Sequence, residues 1–227
     1  MIRRIVATSA LSLFGSLCFA GPSFAASLVS NPFETFTVQD FSGFPSEFTG
    51  GPRESGVDGD SVIFTSTSRG SVFAYSFAYS LNTNGDWGGR RDGFVGLNAT
   101  VGTIRFTFDR AVSGVGGLIN YAPPAGSNGE AIIRVLGEGD RVLETFNLTQ
   151  DAPIVTPGAL DVGAFRGIER NRADILAFEL SSAFIVIDDL TWSRDNADSA
   201  VPVPAAGLLF LSAGAFISAN RSKRKRA

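Results

Sequence analysis

The 227-residue sequence contains no histidine and a single cysteine, Cys18, which lies in a segment expected to be cut away. Without imidazole or thiol, Ser-His-Asp and Cys-His catalysis are excluded, as is every zinc site built on those ligands. Disulfides are excluded from residue 26 onward, so a sufficient apolar core has to hold that region together. Lysine is missing there too: from Ala26 to Ala200, 12 arginines face 22 aspartates and glutamates, leaving ten net negative charges. Such a body repels nucleic acid, whose binding depends on neutralising phosphates. Two kinds of chemistry remain open, paired carboxylates and metals held by oxygen ligands.

The N-terminal stretch MIRRIVATSALSLFGSLCFAGPSFAAS has two cations, Arg3 and Arg4, then an apolar run from Ile5 to Phe19, then small residues. This is the layout of a secretory signal peptide over residues 1–25, with cleavage expected after Ala25 and Ser23 at the other small position. A cut after Ala20 is the second choice. Leu17 stands where a lipoprotein signal needs a small residue before its cysteine, so Cys18 is not expected to be lipidated.

Residues 26–196 hold no helical period for three turns and instead alternate short apolar runs with Gly, Pro, Asn and Asp clusters. Side chains alternate across a strand, so SVFAYSFAYSL predicts Phe73, Tyr75, Phe77, Tyr79 and Leu81 on one face. TIRFTF places Ile104, Phe106 and Phe108 inward, and DILAFEL does the same with Leu176, Phe178 and Leu180. AIIRVLGEGDRVLETFNL reads as a hairpin turning at Gly137 and Gly139. About ten to twelve such strands need two packed sheets to bury their apolar faces, so the expected fold is all-β, a two-sheet antiparallel β-sandwich of jelly-roll-like kind. Most of the 20 phenylalanines are expected to fill its core.

After a linker with the composition of an exposed segment, residues 197–204, the chain carries an uncharged run from Ala205 to Ala219 and then Arg221, Lys223, Arg224, Lys225 and Arg226. At about 1.5 Å per residue the uncharged run spans roughly 22 Å as a helix, short of a hydrocarbon core of about 30 Å. A transmembrane helix is expected over residues 205–220 and a basic cytoplasmic tail over 221–227, since such clusters stay on the cytoplasmic side. Val201, Pro202, Val203, Pro204 and Ala205, followed by the short helix and the basic end, resemble the VPLPA variety of the PEP-CTERM sorting signal of Gram-negative bacteria. Val203 stands where that family most often has leucine. The resemblance implies cleavage near the pentapeptide by a membrane-embedded exosortase, after signal peptidase has acted at the other end. The body is then expected in the periplasm on an inner-membrane anchor, and afterwards at the cell surface or in the extracellular matrix.

Two constellations in the body are candidate sites. NTNGDWGGRRDGF sets Trp87 among glycines with Asn84, Asp86, Arg90 and Arg91 nearby, the residue types that stack on sugar rings and bind their hydroxyls. The competing expectation is that Trp87 folds down to close one end of the sandwich. In AFIVIDDLTW, alternation puts Phe184, Val186, Asp188, Leu190 and Trp192 on one face and Asp189 on the other, which leaves Asp188 among apolar neighbours. Asp58 and Asp60 of VDGDS are candidates to join Asp188 around a calcium ion, although no full calcium loop is present; a solvated turn is the competing reading. AFIVIDDLTW also loosely resembles the last strand of jelly-roll domains in PEP-CTERM proteins and carbohydrate-binding modules. The expected whole is an exported surface or matrix protein, not an enzyme, whose partner beyond the processing peptidases is an extracellular polysaccharide. The alternatives are a carboxylate-dependent glycan hydrolase or lyase, which needs two acids converging in a cleft, and a permanently anchored envelope protein.

Overall fold

The computed structural model describes residues 26–76, 93–121, 130–154 and 163–194, together with Leu81, Asn84, Gly85 and Trp87. The signal peptide, the linker, the sorting pentapeptide, the apolar run and the basic tail lie outside the described residues, as do Phe77, Tyr79, Asp86, Arg90 and Arg91. The described chain is built of short antiparallel strands. These are β1 (Ala26–Val29), β2 (Thr37–Gln39), β3 (Glu47–Phe48), β4 (Arg53–Ser55), β5 (Val62–Ser66), β6 (Val72–Tyr75) and β7 (Phe94–Gly96). They continue with β8 (Ile104–Val112), β9 (Gly114–Asn120), β10 (Ile132–Leu136), β11 (Val142–Asn147), β12 (Ala164–Arg170), β13 (Ile175–Ser181) and β14 (Val186–Ser193).

The first sheet runs β1-β12-β9-β14-β7-β6-β3, with β2 also paired to β14; the second runs β11-β10-β13-β8-β5-β4. The two inner faces share one core. Val62, Phe64, Ile104, Phe106, Ile133, Val135 and Phe178 come from the second sheet, and Phe73, Val95, Val115, Ile119, Ile168, Ile187, Leu190 and Trp192 from the first. At about 25 cal/mol per Å² of apolar area, a set of this size supplies most of the driving force for folding. Ile104, Phe106 and Phe108 point inward as the alternation predicts, and the hairpin β10-β11 turns through Glu138–Asp140 with Gly139 at φ 63. The chain passes from one sheet to the other at Ser113, a single residue between β8 and β9, whose N–H and Oγ both donate to Ser193 O.

Three irregularities change faces that strict alternation assigns. In β6, Val72 opposes Gly96 and Tyr75 opposes Phe94, so the strand carries one extra residue, and Ala74 sits at φ 51. Phe73 therefore enters the shared core, while Tyr75 packs with Phe94 in a second cluster on the far side of the sheet; the two rings do not share a face. In β13 the register shifts between Ile175 and Ala177, so Ile175 is buried and Leu176 is only half-buried. In β14, Asp188 opposes Leu118 and Thr191 opposes Gly116, with Asp189 at φ 48. That bulge divides the expected single face: Leu190 and Trp192 join the shared core, and Val186 belongs to the second cluster.

Glycines at 116 and 167 are register partners on β9 and β12, and the backbones come close there. A Cβ on Gly116 would lie 2.7 Å from Gly167 Cα and 3.0 Å from the Phe165 ring, which is why no larger residue fits. The short helix α1 (Leu148–Asp151) starts at Asn147, whose Oδ1 accepts from Thr149 N at 3.1 Å, while Asp151 Oδ2 accepts from Asn147 N at 3.0 Å. The Asn-Leu-Thr pattern at this point is thus a helix cap.

Candidate functional site

Trp87 is 2% exposed and packs with Val72, Leu81, Phe94 and Val186 on the outer side of the first sheet. The expected sugar-stacking ring is therefore corrected: the indole is folded down and buried, as the competing expectation has it, but onto the outer face of the first sheet and not over one end of the sandwich. The glycine at 163 makes room for it, since a Cβ there would come within 2.2 Å of the indole. Asn84 is 1% exposed and donates from Nδ2 to Phe184 O at 2.8 Å, so it ties its turn to the segment leading into β14. Neither side chain presents its polar atoms to an outside ligand.

The second candidate set separates as well. Asp60 ends a turn closed by Asp60 N donating to Val57 O at 3.0 Å, immediately before β5. Its side chain is 6% exposed, and Oδ2 accepts from Trp192 Nε1 at 2.9 Å. Arg194 also donates to Oδ2, and Arg110 donates to Oδ1. Burial alone would raise the Asp60 pKa; the indole hydrogen bond and the two guanidinium groups outweigh it and hold the carboxyl below the usual aspartate range. Asp58 occupies the same turn with φ 55. Asp188 is 1% exposed, and its Oδ1 accepts from the N–H of Asp189 at 2.7 Å, within the β14 bulge. Among the described residues no three acidic side chains converge as a metal shell, so the structure does not bring Asp58, Asp60 and Asp188 together for calcium.

Nothing local marks the Asp60 network, because its partners are 50, 132 and 134 residues away. A second network is equally non-local. Arg170, 5% exposed at the end of β12, holds Asp174 through two bonds of 2.6 and 3.0 Å and reaches across to Glu144 of β11 at 2.9 Å. Arg172 adds a bond to Asp174 at 2.7 Å. Burial favours a higher Asp174 pKa, but the arginines prevail and keep it low; for Arg170, burial is outweighed by the two carboxylates and the pKa rises.

One cleft does gather two acids. A cavity of about 640 Å³ is lined by the 29–35 segment, including Asn31 and Glu34, together with Glu169 of β12 and Ser193 of β14. Sequence reading missed this pair because Glu34 and Glu169 are far apart in the chain and are brought near one another by the β1-β12 pairing and the Phe33–Phe165 contact. No family model matches the chain, and no curated protein matches it.

Proposed function

We propose that the chain is an exported surface or matrix protein, cut at its C-terminal sorting signal by an exosortase, whose jelly-roll-like body acts as a structural or adhesive module rather than an enzyme. The observation that carries this reading is the order of parts at the end of the sequence: Val201 to Ala205, a charge-free run too short to sit comfortably across a bilayer, and five cations. Proline lacks a backbone N–H and disfavours helix at the residue before it, which supports a pentapeptide accessible to a protease.

The body's chemistry supports the module reading. Its most buried ion pairs, Asp60 with Arg110 and Arg194 and Arg170 with Asp174 and Glu144, tie turns and strand ends to one another. From β8 to β14 the chain crosses between the two sheets five times, which favours the jelly-roll-like description. Mass spectrometry of protein recovered from the medium tests the proposal. The expected mature chain begins at Ala26 and lacks residues 207–227; an intact tail on that material would leave the permanent anchor in its place.

The cleft lined by Glu34 and Glu169 favours a second reading, the carboxylate-dependent glycan hydrolase or lyase. Polysaccharide depolymerisation that disappears in both Glu34→Gln and Glu169→Gln would establish it over the non-enzymatic one.

A further inference from the structure

Of the ten arginines among the described residues, eight direct their guanidinium groups at carboxylates or backbone carbonyls of this chain. Arg69 and Arg141 do not, and Arg69 is the one charged residue lining a groove of about 540 Å³. The groove lies between the β3-β4 turn and the β5-β6 turn. The same groove contains the most exposed aromatic side chain among the described residues, Phe48, 56% exposed on a core otherwise rich in buried rings. An exposed aromatic ring and a guanidinium directed at no carboxylate or carbonyl of this chain thus share one depression.

The walls of the groove are fixed. Thr49 N donates to Ser71 O at 2.7 Å and Ser66 N donates to Gly50 O at 2.8 Å, so the two turns are tied to each other. The Phe48 ring rests against Tyr75 with centroids 5.3 Å apart. Thr49 Oγ1 accepts from Gly51 N at 3.0 Å, which leaves its hydroxyl proton to donate outward. A site held this way loses little freedom when a ligand arrives.

We infer that this groove is a subsite for an acidic polysaccharide, with Phe48 stacked on a sugar ring and Arg69 paired with the carboxylate of a uronate. The inference rests on the proposed adhesive role of the body and names its ligand class. A flat apolar ring beside hydroxyl groups suits the C–H face and hydroxyls of a pyranose. The planar guanidinium fork matches a carboxylate bidentately. One arginine holds one carboxylate locally, and the body's ten net negative charges oppose the rest of the polymer, so the association depends on the Phe48 stack as well as on charge.

Affinity electrophoresis of the mature secreted protein through gels containing alginate, neutral dextran or dextran sulfate tests this. Alginate is expected to retard the protein and dextran is not. Phe48→Ala and Arg69→Ala are each expected to weaken the alginate association by about tenfold, the ratio for one lost contact of about 1.4 kcal/mol. Arg69→Lys, which keeps the charge but loses the fork, is expected to fall between. Both sites are exposed, and an unchanged thermal midpoint confirms that each variant is folded. The inference is overturned if alginate causes no retardation, if neither alanine variant alters it, or if dextran sulfate retards the protein equally without dependence on Phe48. Terminal mass spectrometry separates this from failure of the sorting proposal, since an uncut tail leaves the alginate result unaffected.

Discussion

Replacing Asp60 tests whether the buried carboxylate holds the ends of three strands together. Asp60 Oδ2 serves Trp192 and Arg194, and Oδ1 serves Arg110. In Asp60→Asn the amide oxygen can stay with the indole while the NH₂ group turns toward Arg110, whose side chain is 60% exposed and can be solvated instead. The loss is then the weaker, neutral acceptor and the charge facing Arg194, about 1.5 to 2.5 kcal/mol. Asp60→Ala leaves both the buried indole N–H and Arg194 unmatched, and its cost is about 3 to 4 kcal/mol. For a body of this size each kcal/mol lowers the melting temperature by about 2 to 4 °C, so the alanine variant is expected to melt roughly 6 to 16 °C early. Urea unfolding of both variants, with and without EDTA, is the assay. Two variants within about 0.5 kcal/mol of the parent would refute the network. A destabilisation that vanishes in EDTA would instead assign Asp60 to a calcium shell. The sign with pH also follows. Because the folded carboxyl titrates below its ordinary value of 3.8, its stabilisation is complete above that value and is lost as the pH falls through the lower, folded value.

Arg170→Ala removes a buried guanidinium that faces Asp174 and Glu144, and is expected to destabilise the body by about 3 to 5 kcal/mol in urea titrations, more than loss of the exposed Arg172. Trp87→Ala empties a buried site beside Gly163 and is expected to cost about 3 to 5 kcal/mol while leaving alginate retardation in affinity gels unchanged; loss of retardation at full stability would return Trp87 to the ligand site.

The sheets were legible in the sequence wherever alternation held without interruption. Ile104, Phe106 and Phe108 are inward and the β10-β11 hairpin turns at Gly139 because nothing shifts the pleat before those points. The faces of β6 and β14 were not, because each carries a local irregularity of register; a third irregularity, in β13, displaces only Leu176, while Phe178 and Leu180 are buried as alternation predicts. Two of these place a non-glycine residue, Ala74 or Asp189, at positive φ, and no sequence rule flags alanine for that conformation. One extra residue reverses every later side chain, so Trp192 reaches the shared core and can donate to Asp60, while Asp188 does not share its face. The place of Trp87 was left between two readings, a ring open to a ligand and a ring folded down, for a different reason. Glycine and asparagine predict a turn, but they do not say whether the turn lies on the sheet or stands away from it.

The absence of lysine and cysteine from Ala26 to Ala200 bears on the same structural problem, how two sheets are held together at their margins without a covalent bridge. At one margin Arg53 of β4 pairs with Glu47 of β3, which belongs to the other sheet. At the opposite margin Arg170 of β12 reaches Glu144 of β11, again across the sheets. Near the end of β14, Arg194 and Trp192 of the first sheet meet Asp60 and Arg110 beside the second. In each case the cation is a guanidinium, which can hold one carboxylate through two bonds or two carboxylates at once, as Arg170 does. An ammonium group would supply a point charge without that fixed direction. The exposed Arg53 pair contributes little, whereas Asp60 and Arg170 are sheltered enough for their loss to matter. The described body thus closes its margins with ion pairs that form without an oxidant.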